Sequence, residues 1–368
     1  MDSPVRPSHT AGTAALARLH LNKLVAIKNR FLRRLTKSKK TKPAAAPVVA
    51  STPAVVTSTP AATSTPTAAP VKASIIDEQT ARSKYWVEEP PINEHPSAEA
   101  LIKYFRPDIK DKASMIRLLK DIRLKAWQIK YYPCVGQWLF FKFGMTEHAM
   151  YPEIVDRVKQ GQRILDMGCF MGFDGRKLVA DGAPSSGITN MDLEDRWFPL
   201  SFELFKDENT FEGEFFGGCD ITDEELFGED SIHRHRYDMI YIGYFVHLFP
   251  PSQQAKILNN LVQMLKPTSG SMIFGNTSGS AKENGFLMKA DFAPPSKNEK
   301  GEWVRPDFIF HSEKTIVELM AASVKGDGEW VFSGQQSAID LDLSPTKAYA
   351  EHFKDVELVN MNFCMRRL

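Results

Sequence analysis

The chain has 368 residues, 43% of them hydrophobic, and a formal charge of +1, which is enough apolar material for one large domain with extensions or for two domains. That near-neutral total hides an asymmetry, because residues 1–75 carry 12 Lys or Arg against one acid, Asp2, whereas residues 76–368 carry 34 against 44. The four cysteines, Cys134, Cys169, Cys219 and Cys364, show no CxxC pairing and no His at zinc-ligand spacing, which argues against a disulfide framework and a metal site and suits a reducing, intracellular and cytoplasmic setting. No apolar run of about 18 residues occurs, so no transmembrane segment is expected.

In chain order, residues 1–42 form a basic tail in which Leu16, Leu19, Leu24, Ile27, Phe31 and Leu35 recur near helical spacing among Arg18, Lys23, Lys28, Arg30, Arg33 and Arg34. This pattern suits a mitochondrial targeting peptide or a membrane-surface helix, with an unstructured basic tail as the equal alternative. Residues 43–75 are built almost wholly from Ala, Pro, Thr, Ser and Val with no aromatic anchor, the composition of a disordered linker. Residues 76–159 read as a helical cap or lid. Leu101, Tyr104, Ile116, Leu118, Leu119, Ile122 and Trp127 predict two amphipathic helices broken near Pro107. The aromatic stretch from Tyr131 to Phe141 reads equally as a buried helix or as a wall of the substrate pocket.

From residue 160 onward the pattern alternates between strand and helix. Ile164–Met167, Gly187–Met191, Tyr237–Ile242 and Ser271–Gly275 are predicted strands, Asp174–Asp181 and Gln253–Leu265 predicted helices. Such alternation implies a parallel sheet covered on both faces. Near the C-terminus, Glu313–Ala322 reads as a helix, and Trp330–Ser333 and Val356–Met365 as strands closing the sheet in an antiparallel hairpin.

The chemistry concentrates at Ile164-Leu165-Asp166-Met167-Gly168-Cys169-Phe170-Met171-Gly172-Phe173-Asp174. A strand entering a glycine turn that opens a helix brings backbone close to a nucleotide-like ligand. The glycines are spaced G-x-x-x-G, and Asp166 stands two positions before the first. A carboxylate there suits an ammonium group and repels a pyrophosphate, so S-adenosylmethionine is favoured over NAD. Asp166, Gly168, Cys169, Gly172 and Asp174 are therefore candidate cofactor residues. Asp192, 24 positions after Gly168, ends the second strand beside Leu193, where an acid accepts the ribose hydroxyls; its alternative role is a helix N-cap. Asp220 and Ile221 at the third strand end are candidates for the adenine, although Asp220 could equally cap the acidic stretch Asp223–Leu226. After the fourth strand, Tyr244 and His247 are the ionisable candidates on the methyl-acceptor side, His247 alternatively being a hydrogen-bonded structural residue. His233 and His235 within HRHR read as a solvated loop rather than a metal site.

From about Lys125 to the C-terminus the chain resembles the methyltransferases of fungal meroterpenoid and related secondary-metabolite pathways, a group within the class I S-adenosylmethionine-dependent methyltransferases. The resemblance is carried by Tyr132-Pro133-Cys134, Ala149 to Val155, ILDMGCFMGFDGRKLVADGAPS at 164–185, Met191-Asp192-Leu193-Glu194, and Phe245 to Phe249 with Lys266-Pro267. It implies a Rossmann-like seven-stranded sheet over residues 160–368 and S-adenosylmethionine as cofactor. It also implies a small natural-product acceptor methylated on oxygen, in several members a carboxylic acid converted to its methyl ester.

A carboxylate is already ionised at neutral pH and needs no general base, in keeping with the lack of a convincing base in the sequence. A hydroxyl or phenol acceptor is the alternative and would require help from His247 or Tyr244. A non-catalytic binding protein that keeps the fold is a further alternative. The acidic body argues against a nucleic acid partner, and a homodimer is left open.

Overall fold

The structure is a computed structural model, and it describes residues 77–289, 296–297, 303–304, 307–338, 353 and 355–368. The expected tail at 1–42 and linker at 43–75 lie outside the described residues, all of which fall within one compact unit, Ala68–Leu368.

Four helices open the described chain: α1 (Glu78–Tyr85), α2 (Pro96–Phe105), α3 (Lys112–Ile129) and the single turn α4 (Pro133–Gly136). The expected break near Pro107 separates α2 from α3, and Asp111 then caps α3 by accepting the Ser114 N–H at 2.8 Å. These helices bury Leu101, Ile102, Leu119, Ile122 and Trp127 in one cluster with Trp138 and Phe141. Arg123 ties them together from inside. Its guanidinium lies 3.6 Å from the Trp86 ring centroid and 4.0 Å from that of Trp138 while donating to the carbonyls of Val87, Glu88 and Gly136.

The α/β body follows as α5 (Tyr151–Lys159), β1 (Ile164–Met167), α6 (Phe173–Ala180), β2 (Ile188–Asp192), α7 (Trp197–Phe205), β3 (Glu214–Gly217), β4 (Met239–Gly243), α8 (Pro251–Met264) and β5 (Met272–Ser280). A minor arm contains β6 (Phe286–Lys289), β7 (Ser296–Lys297), β8 (Trp303–Val304) and β9 (Asp307–Phe310), and the chain closes with α9 (Glu313–Ser323), β10 (Trp330–Ala338) and β11 (Leu358–Arg367). The main sheet has seven strands in the order β10-β11-β5-β4-β1-β2-β3. β1 to β5 are mutually parallel, and β11 runs antiparallel to both β5 and β10. β1, β2, β4 and β5 are buried along nearly their whole length because helices cover both faces, whereas the edge strand β3 is only half-buried. One face packs on α8 and α9 through Ile240, Ile257, Leu261, Ile316 and Met320, and the other on α5 through Ile154, Val158 and Phe274.

Counted along the main sheet, the strand order is 3-2-1-4-5-7-6 with only strand 7, β11, reversed. This is the class I methyltransferase fold. β5 continues to Ser280, beyond the expected Gly275, because β11 pairs with it from Met272↔Arg366 to Ser280↔Leu358. The stretch from 131 to 141 is not one helix: Trp138 adopts a left-handed φ of 60° between α4 and a 3-10 turn at Leu139–Phe141.

Candidate cofactor and acceptor site

β1, β2 and β4 are adjacent, so their C-terminal ends place Asp166, Asp192 and Tyr244 along one edge of the sheet. Ligands of open α/β sheets bind at that edge, where the strand order reverses on either side of β1.

The β1–α6 turn is shaped by left-handed backbone at Gly168 (φ 74°), Phe170 (φ 52°) and Gly172 (φ 65°). At Gly168 a Cβ would come 2.7 Å from the Phe245 ring, so the glycine lets the post-β4 segment close against the turn. Gly172 stands at the N-cap of α6. The N–H groups of Gly168 and Cys169 both donate to Met191 O, at 2.8 and 3.1 Å, which draws the turn onto β2. Phe170 and Phe173 pack against Phe140 with ring centroids 5.5 and 5.2 Å apart, so the aromatic stretch backs this turn. The Cys169 side chain is buried in the same apolar cluster, leaving its backbone as the part beside the turn.

Asp166 is 4% exposed, and among the described residues no Lys or Arg pairs with it. Burial, then the nearby Asp174 and Asp192 carboxylates, push its pKa well above the ordinary range. Asp174, in the first turn of α6, accepts the Met145 N–H at 3.1 Å, and burial raises it to about 7. Asp192 accepts the Phe170 N–H through Oδ2 and the Glu194 N–H through Oδ1, both at 2.9 Å. It is not a helix N-cap, since Arg196 holds that position for α7. Burial raises its pKa as well, the two amide hydrogen bonds opposing the shift. Leu193 beside it is 57% exposed.

The Cys219 N–H donates to Asp192 O at 3.1 Å and brings the end of β3 alongside. Asp220 is exposed, and its Oδ1 accepts the Thr222 N–H and hydroxyl at 2.9 and 2.7 Å. The cap of the short 3-10 turn Glu224–Leu226 is Asp223 and not Asp220. Ile221 faces inward, 2% exposed in the cluster under α8.

At the candidate acceptor side, Tyr244 has a left-handed φ of 47° immediately after β4, and its N–H donates to Asn276 O at 2.7 Å. The fourth strand therefore stops at Gly243, and Val246–Leu248 form a 3-10 turn. The Tyr244 hydroxyl lies 3.2 Å from Asn360 Oδ1. His247 Nδ1 lies 3.2 Å from Thr277 Oγ1, and burial lowers the imidazole pKa to about 4. His247 is thus neutral at physiological pH and too weak a base to ionise an alcohol unaided.

Sequence reasoning missed several contributors. Arg176 and Asp207 form a bidentate pair, 0% and 2% exposed by side chain, and the same guanidinium donates to Met171 O at 2.7 Å. This pair pins the turn to the far end of α7. The Tyr241 hydroxyl lies 2.9 Å from Asn276 Oδ1 beneath Gly144, and Glu147 meets Asn360 and Asn362 of β11. The GxxxG spacing signalled the turn, but nothing local marks residues that meet only through the fold. One expectation needs correction: His233 is not in a solvated loop but 6% exposed, its Nδ1 lying 2.9 Å from the Tyr237 hydroxyl. The described residues contain no His, Cys, Asp and Glu group suited to a metal, and no described helix is long and apolar enough to cross a membrane.

No family model matches the chain. Among individual relatives it is 38% identical to O-methyltransferase atr3 of Stereocaulon alpinum over 162 residues, 43% of this chain and 46% of that protein. It is 33% identical to methyltransferase adrK of Penicillium rubens over 198 residues, 52% of this chain and 67% of that protein. The chain belongs to the fungal secondary-metabolite methyltransferase family. A third member, the asnovolin E/chermesin D methyltransferase nvfJ of Aspergillus novofumigatus, is 32% identical over 50% of this chain and 64% of its own length. The matches thus span from about half to two thirds of these relatives.

The cofactor of this fold and family is S-adenosylmethionine, and the residues fit it. A buried carboxyl with no basic partner among the described residues suits the cofactor's cationic methionine end, Asp192 retains acceptor capacity beyond its two amide bonds, and the turn's backbone allows close approach.

Proposed function

We propose that the chain transfers the methyl group of S-adenosylmethionine to an oxygen of a small, hydrophobic secondary metabolite, a carboxylic acid that leaves as its methyl ester. The observation that carries this reading is the convergence of the uncompensated Asp166 carboxyl, the Gly168 turn and Asp192 on adjacent ends of β1 and β2.

When bound, the cofactor supplies a methyl group activated by its sulfonium. Asp166 and Asp174 balance positive charge at the methionine end, Asp192 accepts from the ribose hydroxyls, and Leu193, Asp220 and the Ile221 backbone border the adenine. Tyr244 and His247 line the acceptor side. Displacement at a methyl carbon asks mainly for alignment of the reacting atoms in a dry pocket. The neutral, weakly basic His247 supports an acceptor that arrives already ionised, as a carboxylate does.

The test uses the full chain with methyl-tritiated S-adenosylmethionine and matched pairs of hydrophobic carboxylic acids and their primary alcohols. Label entering a base-labile ester from the acids alone is the expected result. Label entering the alcohols as stable ethers would overturn the carboxyl assignment.

A further inference from the structure

We propose that the cap supplies the second wall of the adenosine slot, with the Tyr132 ring stacking on the adenine across from Leu193 and with Pro133 and Cys134 closing the ribose side over Asp192. The inference rests on the cofactor reading above, and it places this part of the cap at the donor site rather than the acceptor pocket.

The cap is fastened on both sides of Asp192. On one side the Phe140 ring packs on Phe170 with centroids 5.5 Å apart, and Phe170 gives its N–H to Asp192 Oδ2. On the other, α7 begins five residues after Asp192 and is held by Lys125 Nζ of α3 on Glu203 at 2.5 Å and by the Arg106 guanidinium on Leu204 O at 2.9 Å. The chain from Lys130 to Cys134 joins these two anchorages and so crosses the end of β2.

Within that crossing the two tyrosines diverge. Tyr131 turns inward, its ring 5.3 Å from that of Trp127, whereas Tyr132 is 42% exposed. Pro133 starts α4, and Tyr132 O accepts the N–H groups of Val135 and Gly136 at 3.0 and 3.1 Å, which fixes the backbone carrying the exposed ring. Lys130 Nζ donates to the Tyr132 hydroxyl at 3.2 Å. The same ammonium opposes the burial that raises the Asp192 pKa, and it helps Arg196 hold Glu194 low. Asp192 and Glu194 flank Leu193, so Lys130 brings Tyr132 and the 57% exposed Leu193 to one rim. Two large uncovered apolar side chains on separate elements suit a flat aromatic ring between them.

Cys134 marks the depth of the slot. Its side chain keeps part of its surface accessible, yet burial, and then the Asp192 charge, push the thiol pKa up to about 12. A group so deep and still reachable borders a recess. The Asp166 carboxyl, close enough to Asp192 for their charges to interact, is 4% exposed and meets no hydrogen-bond donor among the described residues, which leaves it open to a cationic occupant.

The test titrates the full chain calorimetrically with S-adenosylhomocysteine and with 5′-methylthioadenosine, which keeps the adenosine and lacks the amino-acid end. Y132A should weaken both by about tenfold, the size of a lost aromatic stack, and Y132F should recover most of that loss. C134F, which fills the recess, should weaken both by about a hundredfold while melting cooperatively. D166A should weaken S-adenosylhomocysteine alone, which separates the two ends of the cofactor. Wild-type affinity of Y132A for 5′-methylthioadenosine overturns the inference, and this comparison decides it should C134F fail to fold. A wild-type chain that binds neither nucleoside overturns the cofactor reading and the inference together, whereas one that binds both, with Y132A unchanged, overturns the inference alone.

Discussion

The Phe170 N–H donates to Asp192 Oδ2 at 2.9 Å, so the acid that ends β2 is also a brace for the glycine turn that follows β1. Replacing Asp192 therefore loosens the turn and, on the proposed reading, removes the ribose acceptor as well. D192A should weaken S-adenosylmethionine binding by about 10- to 100-fold, the equivalent of a charged hydrogen bond or two. Calorimetric titration reads this directly, and wild-type affinity in the variant would count against the site.

Arg176 and Asp207 share a bidentate contact with both side chains buried. R176M leaves the acid without its partner and should cost about 3–5 kcal/mol of stability. The double variant R176M/D207L should recover much of that loss, because the unpaired buried charge is gone. Urea denaturation distinguishes the two, and a single-variant loss below about 1 kcal/mol would show that the pair is not the brace described.

Gly168 combines a positive φ with a Cβ position 2.7 Å from the Phe245 ring. G168A should lower stability by about 1–3 kcal/mol and impair cofactor binding, since both backbone strain and an aromatic collision are introduced. In G168A/F245A, compared with F245A alone because that truncation leaves its own cavity in the core, the collision is removed and the added cost of G168A is the strain. Comparable melting temperatures for G168A and the wild type would contradict this account.

The carboxyl pair Asp166 and Asp174, proposed to face the cofactor's methionine end, sets a pH dependence. Asp174 is raised to about 7 and Asp166 is raised above its usual value, in each case first by burial, so both hold protons more tightly in the folded protein than in the unfolded chain. Their contribution to the stability of the cofactor-free protein is fully present below the unfolded carboxylate pKa of about 4; that of Asp174 is lost as pH rises through about 7, and that of Asp166 as pH rises through its own raised pKa. Glu147, Asp192 and Tyr241 face the same group and add no positive charge. A cationic ligand favours the ionised pair, so the rise in melting temperature caused by S-adenosylhomocysteine should grow from pH 6 to pH 8. D174N should flatten that growth. A shift independent of pH in the wild type would remove the pair from the cofactor site.

His247 has its pKa lowered to about 4 by burial. With a carboxylate acceptor, H247N should reduce kcat less than about tenfold, below the 10²–10⁴ typical of a lost general base. Steady-state kinetics on the acid that supports turnover provide the measurement. A loss of a hundredfold or more would assign His247 a proton-transfer role and favour a hydroxyl acceptor.

Four of the five parallel strands, β1, β2, β4 and β5, were legible in the sequence because each contains a short apolar run, as in Ile164–Met167 before Gly168, whereas β3 (Glu214–Gly217) opens on Glu214 and is only half-buried. The placement of Asp166 and Asp192 at neighbouring strand ends was legible for the same reason, since adjacent parallel strands bring those ends together. Boundaries set by pairing were not, and β5 grew to Ser280 only because β11 lies against it. Tyr244 and His247 stood out as ionisable residues after a strand, but their partners Asn360 and Thr277 come from β11 and β5. Arg176 carries no local signal of burial and is buried because Asp207, 31 residues away, turns back to meet it. His233 was misread because a local run of charged neighbours says nothing of the Phe216 and Tyr237 rings that enclose it.

The most direct test is calorimetric titration of the full chain with S-adenosylmethionine and, separately, with NAD. Saturable one-to-one binding of S-adenosylmethionine, abolished or strongly weakened in D166A, with no heat from NAD, is the predicted result. Binding of NAD, or S-adenosylmethionine affinity indifferent to D166A, would contradict the assignment of the β1 edge as a methyl-donor site.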